Sequence, residues 1–304
     1  MNIVSLLPSA TEILFAVGAG DDVVGVTFEC DHPQEARARR IVSTSALPEG
    51  LGPAAIDASV RARIAAGEDL YHLDLGALAG LDVDLVVTQD LCAVCAVDVS
   101  EVTAALEHLG CHAEVLTTDP HDLEQVLDSV VQIGSATGHE VEAVALVAGL
   151  RTRLDAVAAR VAGRARPRTV VLEWTDPPFA PGHWVPEMVQ LAGGECVLGR
   201  AGERSLPTTW ADVAAAAPDV VVSAPCGFGL EDSARLAQEL LATGRLPNGV
   251  PVWAVDANAS FARPGPRLVD GIEALAAILH ADPDTELGHA YDQAPDPGLA
   301  RRLR

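Results

Sequence analysis

From His121 to Gly163 the chain contains no proline, and its apolar residues recur at helical spacing: Leu123, Val126, Leu127, Val130 and Ile133, then Val141, Val144, Leu150, Leu154, Val157 and Val161. That period predicts one long helix over 121–163, kinked around Gly134 to Gly138. At ~1.5 Å per residue, some 40 residues would cross about 60 Å, more than one α/β lobe is wide. A helix of that length placed midway along the chain is expected to be a rigid connector between two lobes.

On both sides of it, apolar runs alternate with amphipathic stretches, the pattern of an α/β fold. Asn2 to Leu6 is expected to be a buried strand, and Ser9-Ala10-Thr11-Glu12 a capping box opening a helix that Gly18 ends. Further strands are expected at Val23–Thr27, Asp84–Thr88 and Ala113–Leu116, with a helix near Val99 to Leu109. In the second half, strands are expected at Arg168–Leu172, Asp219–Ser223 and Val252–Val255. Helices are expected at Val185–Leu191, Glu231–Leu241 and Pro266–Leu279. The expected organisation is an N-terminal α/β lobe over 1–120, the connecting helix over 121–163, a C-terminal α/β lobe over 164–280 and a loosely held tail over 281–304.

The 304 residues carry 20 Lys+Arg, every one an arginine, against 43 Asp+Glu, a net charge of −23. Such a surface repels phosphate backbones and anionic lipid, which argues against nucleic-acid and membrane-surface partners. Without lysine, no Schiff-base chemistry is available. No apolar run approaches the ~18 residues of a bilayer span. The start, Met1 to Pro8, lacks the basic and apolar regions of a signal peptide, so the chain as written is expected in the cytoplasm. Six cysteines in a reducing compartment are expected to be thiols or ligands, not a disulfide framework.

In parallel sheets, ligands bind beyond the carboxyl ends of the strands. The chemically unusual segments of this chain follow predicted strands in both lobes. Thr27-Phe28-Glu29-Cys30-Asp31-His32-Pro33 and Gln89-Asp90-Leu91-Cys92-Ala93-Val94-Cys95 do so in the first. Glu173 to Trp184 (EWTDPPFAPGHW), Ala224 to Phe228 and Asn258 to Arg267 (NASFARPGPR) do so in the second. The arrangement predicts one shared cleft between the lobes.

Cys92 and Cys95 stand at CxxC spacing, which brings two sulfurs to one side of a turn to bridge or to ligate a metal. Cys226, Cys30, His32 and His183 are candidates to complete such a site. The other reading makes Cys92 and Cys95 small buried packing residues. His183, between a strand and a helix, is placed to donate a hydrogen bond or to coordinate a metal carried by a ligand. His121 is expected on a helix, solvated. Arg263 and Arg267 flank Pro264-Gly265-Pro266, suited to an anionic or amide group, or to a salt bridge holding the turn. Neither GxxxxGK[ST] nor GxGxxG follows a strand, and the Gly-x-Ser-x-Gly elbow is absent.

Ile3 to Gly18 (IVSLLPSATEILFAVG), Phe28 to Pro33, Asp84 to Val87, Asp176 to Phe179, Ala192 to Glu195 and Phe261 to Arg267 occur in an order that resembles a known family. This is the cobalamin-binding proteins of vitamin B12 uptake ABC transporters, in the helical-backbone class of periplasmic binding proteins. TQDLCAVCAV, EWTDPPFAPGHW, PCGF and RPGPR are similar to a signal-less subgroup of it, over roughly Asn2 to His280. The resemblance implies two Rossmann-like lobes joined by a long helix, a corrinoid held between them, no catalysis and an ABC permease as partner. The residues it brings forward as ligand-binding are Phe28, Glu29, His32, Gln89, Trp174, Phe179, His183, Trp184, Phe261 and Arg263. Asp57 and Glu195 fall near positions that dock on a transporter. Cys92, Cys95 and Cys226 keep a second reading open: a cytoplasmic metal- or thiol-dependent enzyme on the same fold, with a metal or iron–sulfur centre.

Overall fold

The computed structural model describes residues 1–48, 50–89, 102, 106, 113–281 and 294–304. The expected helix near Val99 to Leu109 therefore lies outside the described residues, apart from Val102 and Leu106. The chain forms two compact units. One comprises residues 1–120 and 124–148, the other 121–123 and 149–304.

In the first unit, β1 (Ile3–Ser5), α1 (Pro8–Ala16), β2 (Val23–Thr27), β3 (Arg40–Ser45), α2 (Pro53–Ala66), β4 (Tyr71–Leu73), α3 (Leu75–Leu78), β5 (Leu85–Thr88) and β6 (Glu114–Thr117) follow in order. The sheet runs β4-β3-β2-β1-β5-β6, parallel except for β4. Its central strands are apolar on both faces, as a doubly covered parallel sheet requires. Val4, Leu6, Val42, Leu78, Val83 and Val86 form one core cluster with Val102 and Leu106. Strand order reverses between β1 and β5, so the crevice of this sheet opens beyond Ser5 and Thr88.

Helix α1 departs from the expected capping box. It starts at Pro8, one residue before Ser9, with Leu7 as cap and no side-chain cap bond. Proline suits a first helical position because its missing N–H would be unpaired there. Thr11 is instead buried inside the helix, its hydroxyl donating to Ser5 Oγ at 2.8 Å or to the Leu7 carbonyl at 3.1 Å.

The expected single helix over 121–163 is two, α4 (Leu123–Ala136) and α5 (Glu140–Val161). Gly138 takes φ +75, and the His139 N–H reaches back to the Gly134 carbonyl at 2.7 Å, the six-to-one bond that ends a helix on a left-handed glycine. The Thr137 N–H and hydroxyl occupy the Ile133 carbonyl. Gly134 is needed as well, since a Cβ there would lie 2.3 Å from that of Ala143. The chain passes from the first unit to the second within α5, at Ala148 and Gly149.

The second unit continues through β7 (Arg168–Leu172), β8 (Trp174–Thr175), β9 (Pro178–Ala180), α6 (Val185–Leu191), β10 (Glu195–Cys196), β11 (Leu206–Pro207), α7 (Trp210–Ala215), β12 (Val220–Ser223), α8 (Leu230–Ala242), β13 (Val252–Val255), α9 (Ala257–Ser260), α10 (Leu268–Leu279) and β14 (Ala300–Arg302). Its main sheet is β10-β7-β12-β13-β14, parallel except for β14, and β11-β9-β8 form a small antiparallel sheet. Val170, Leu172, Val213, Val221, Leu240, Leu246 and Val252 make its core.

The tail expected to be loosely held is, at 300–302, the edge strand β14. Trp253 pairs with Arg302, and Arg301 forms an ion pair with Glu231. The Arg304 guanidinium donates to the Val250 and Pro247 carbonyls at 2.8 and 2.7 Å. Without β14 the edge of β13 would leave a row of backbone groups to be satisfied, which composition alone does not reveal.

Arg153 of α5 holds α10 by three hydrogen bonds: 3.0 and 2.7 Å to the two Glu273 oxygens, and 2.6 Å to Asp270. All three side chains are about a third exposed, so screening limits their worth. Arg153→Met is expected to lower stability by about 1–2 kcal/mol, read as a shifted urea midpoint. Arg153→Lys restores only part of it, because an ammonium cannot make the bidentate fork.

Candidate functional site

Strand order in the second unit reverses between β7 and β12, so its crevice lies beyond Leu172 and Ser223. The chain there is stitched across: the Cys226 N–H donates to the Glu173 carbonyl at 3.0 Å, and the Ala224 N–H to Leu172 at 2.9 Å. Trp174 on β8 and Phe179 on β9 are direct cross-strand partners. Phe228, just past β12, brings its ring to 5.7 Å from Trp174 at a 46° tilt, within the range of favourable aromatic pairs. Trp174, Phe179 and Phe228 are all half-buried, leaving aromatic surface accessible.

His183 sits beside this ledge in sequence, in the turn that leads into α6. It takes φ +49, unusual for a residue with a Cβ. The segment 199–205 holds it there: the His183 N–H donates to the Glu203 carbonyl at 2.6 Å, and the Gly202 N–H to the His183 carbonyl at 3.0 Å. Two glycines permit the approach. A Cβ on Gly182 would lie 2.2 Å from the Ser205 nitrogen, and one on Gly199 1.9 Å from the Pro181 oxygen.

The His183 Nε2 atom is buried and has no hydrogen-bond partner. Burial first, then the charges of His121 and Arg204, hold the His183 pKa below the usual imidazole value. The ring is therefore neutral at neutral pH and keeps a nitrogen lone pair to give. Its centroid is 5.5 Å from that of Trp184 and 6.2 Å from that of His121.

His121 was expected on a solvated helix. It instead precedes α4, whose first residue, Leu123, donates its N–H to Glu187 Oε2 at 2.8 Å. Glu187 belongs to the first turn of α6, so this bond brings the backbone just after His121 to the helix that follows His183. Nothing in the Asp119-Pro120-His121-Asp122 segment signals that pairing. Phe228 was within reach of the strand-end rule.

Glu173 accepts from the Gly182 N–H at 3.1 Å, beneath the His183 turn. Burial pushes its pKa up to about 7, against the Ser205 hydroxyl and the Gly182 N–H, which favour the carboxylate.

The other expected ligand residues of this unit are placed differently. Trp184 is 5% exposed, and its indole N–H donates to the Phe261 carbonyl at 2.8 Å. Phe261, 2% exposed, and Arg263 are buried. Trp184 and Phe261 thus join α6 to the segment after α9, and offer no open ring face.

In the first unit, Phe28 is an exposed aromatic, its ring 6.1 Å from that of Tyr71, whose hydroxyl lies 3.4 Å from Glu29 Oε2. Tyr71 escaped the sequence reading because the short strand β4 did. His32 is exposed, and Gln89 is buried after β5. Cys30 is buried with Sγ 3.0 Å from Thr11 Oγ1, a packing position. Cys226 is exposed, whereas Cys92 and Cys95 lie outside the described residues. Among the described residues no group of three or more His, Cys, Asp or Glu is arranged to hold a metal ion.

The two acidic docking candidates both meet arginines of this chain. Asp57 on α2 is paired with Arg61 and only 10% exposed, whereas Glu195 is 54% exposed and 3.2 Å from Arg168. Among the described residues, no helix is long and apolar enough to cross a membrane.

Two α/β units, each with a parallel-rich sheet, are the architecture of a substrate-binding protein. Residues 3–251 match the family model described as periplasmic binding protein, and the chain belongs to that family of ABC transporter substrate-binding proteins. A curated relative, described as the uncharacterized ABC transporter substrate-binding lipoprotein YvrC of Bacillus subtilis (strain 168), is 25% identical over 293 residues, 92% of this chain and 80% of its own. Among solved structures, the periplasmic vitamin B12 binding protein BtuF of Vibrio cholerae is 20% identical with a TM-score of 0.66, covering 91% of this chain and 96% of its own. A periplasmic heme binding protein from Pseudomonas aeruginosa is also 20% identical, with a TM-score of 0.67 over 91% and 92%. At that identity the two structures establish the α/β two-lobed fold.

Proposed function

We propose that this chain binds a corrinoid or a related metal-bearing tetrapyrrole as its transported ligand. The observation that carries the reading is the buried, unpartnered Nε2 of a neutral His183, in the same unit as the Trp174–Phe179–Phe228 ledge. A flat apolar macrocycle is suited to aromatic faces. A metal with an exchangeable axial position is suited to a neutral imidazole. BtuF, a vitamin B12 binding protein, and the Pseudomonas aeruginosa heme binding protein support the class. In the first unit, Phe28, Glu29, His32 and Gln89 remain proposed ligand residues. We assign docking on an ABC permease to Glu195 ahead of Asp57, whose carboxylate is mostly buried against Arg61.

Titration with hydroxocobalamin, and separately with hemin, followed by absorbance and calorimetry, tests the reading. Saturable heat and a shifted spectrum are expected for hydroxocobalamin, with the shift lost in His183→Asn and the affinity reduced at least about tenfold in Trp174→Ala, or about 1.4 kcal/mol. Hemin binding alone would move the ligand from corrinoid to heme. Silence of both ligands at micromolar protein would remove the proposal. Fractionation of native cells separates a cytoplasmic pool from an exported one.

A further inference from the structure

The juxtaposition of His121 and His183 has no part in holding a flat ring by its faces. Their centroids are 6.2 Å apart with ring planes at 34°; His183 lies just ahead of α6, and His121 two residues before Leu123, whose N–H is held by Glu187 of α6. We propose that His121 and His183 form a two-imidazole site for a first-row divalent cation of borderline softness, binding the hydrated ion itself. The inference does not rest on the tetrapyrrole reading, since its probe carries no ring.

Metal–nitrogen bonds of about 2.0–2.1 Å put an imidazole centroid about 3.2 Å from the ion, so two rings on a tetrahedral ion stand about 5.2 Å apart. The observed pair is wider by about 1 Å, within reach of a small side-chain rotation. The His183 backbone is held by Glu203 and Gly202, so the adjustment is one of side-chain rotation. Desolvation of the His183 Nε2 atom without a hydrogen bond costs free energy that coordination would recover. Imidazole nitrogens select zinc, copper and nickel over calcium or magnesium, which take oxygen ligands. Arg204 acts on the same ring and opposes a cation, so binding is moderate, with water completing the coordination.

The test uses the full chain without an affinity tag, with Cys92, Cys95 and Cys226 changed to serine so that thiols do not compete. Zn²⁺ and Ni²⁺ are titrated calorimetrically at neutral pH, and Cu²⁺ is followed by electron paramagnetic resonance. One ion per chain is expected, with nitrogen hyperfine structure in the copper spectrum. His183→Asn and His121→Asn are each expected to weaken binding at least about tenfold, since each removes one of two protein ligands. Asparagine tolerates the left-handed φ of position 183, so the fold survives, as circular dichroism will record. Absence of saturable binding below about 1 mM ion, or affinity unchanged within about twofold in either variant, would overturn the site. Ion binding without hydroxocobalamin binding removes the corrinoid reading and leaves this one; the converse removes only this one.

Discussion

Gly199→Ala is expected to destabilise the protein by about 3 kcal/mol or more and to abolish ligand binding with it. The residue has φ +82, and a Cβ on it would lie 1.9 Å from the Pro181 oxygen, so backbone must move against backbone. Gly182→Ala meets the same wall from the other side, 2.2 Å from the Ser205 nitrogen and 2.5 Å from the Arg204 carbonyl carbon. Either methyl separates segment 181–184 from segment 199–205, and the hydrogen bonds that hold His183 at φ +49 run between those two segments. Gly202→Ala is the control. Its φ is +74, but nothing lies within 4 Å of the added Cβ, so only the left-handed penalty of about 1 kcal/mol applies. Urea midpoints of the three variants, with hydroxocobalamin and zinc titrations, separate close approach from backbone strain. Equal losses in Gly199→Ala and Gly202→Ala would show that the approach is not needed.

Glu173→Gln is expected to stabilise the protein at pH 8 and to leave it nearly unchanged at acid pH. The native carboxyl holds its proton up to about pH 7, whereas in the unfolded chain it ionises near its ordinary value of 4.5. Between those two values the folded state binds more protons than the unfolded one, so stability falls as pH rises through the window. The full difference is about 3 kcal/mol, and all of it is lost above pH ~7. Glutamine keeps an acceptor for the Gly182 N–H and carries no charge to desolvate. His183 and His280 run the opposite way. Burial lowers the pKa of both, with the Ala192 carbonyl opposing the shift at His280, so their contribution is intact above the ordinary imidazole value and is lost as pH falls below it. Urea denaturation across pH 4 to 8 should show the gap between variant and parent opening with pH. A constant gap would assign Glu173 an ordinary pKa.

The α/β class and most of the strands were legible because they are written locally. Val23–Thr27, Arg168–Leu172 and Val252–Val255 are apolar runs of strand length, and their structural bounds coincide with the expected ones. Strands β3, β4, β8, β9, β10 and β11 were not anticipated, and β14 was hidden in a tail whose composition suggests little order. These strands exist through the partner edge they join, a property of the sheet and not of the segment. The kink foreseen around Gly134 to Gly138 is a full helix break because Gly138 ends α4 through a six-to-one bond.

For the candidate site, the sequence by itself determined which loops carry unusual chemistry, since strand-end position follows from periodicity alone. It also put His183, Trp174 and Phe179 in one segment after a strand, of which Trp174 and Phe179 fall on the short strands β8 and β9. Only the tertiary structure decided which of those side chains are open. Trp184 and Phe261 share a residue class with Trp174 and Phe28, yet one hydrogen bond, from the indole to a carbonyl 77 residues away, marks them as interior. Likewise, only packing paired His121 with His183, through Glu187 and the start of α4. Backbone preference and hydrophobic period act over a few residues. Burial of a nitrogen without a partner is set by atoms remote in the chain, and no local pattern records them.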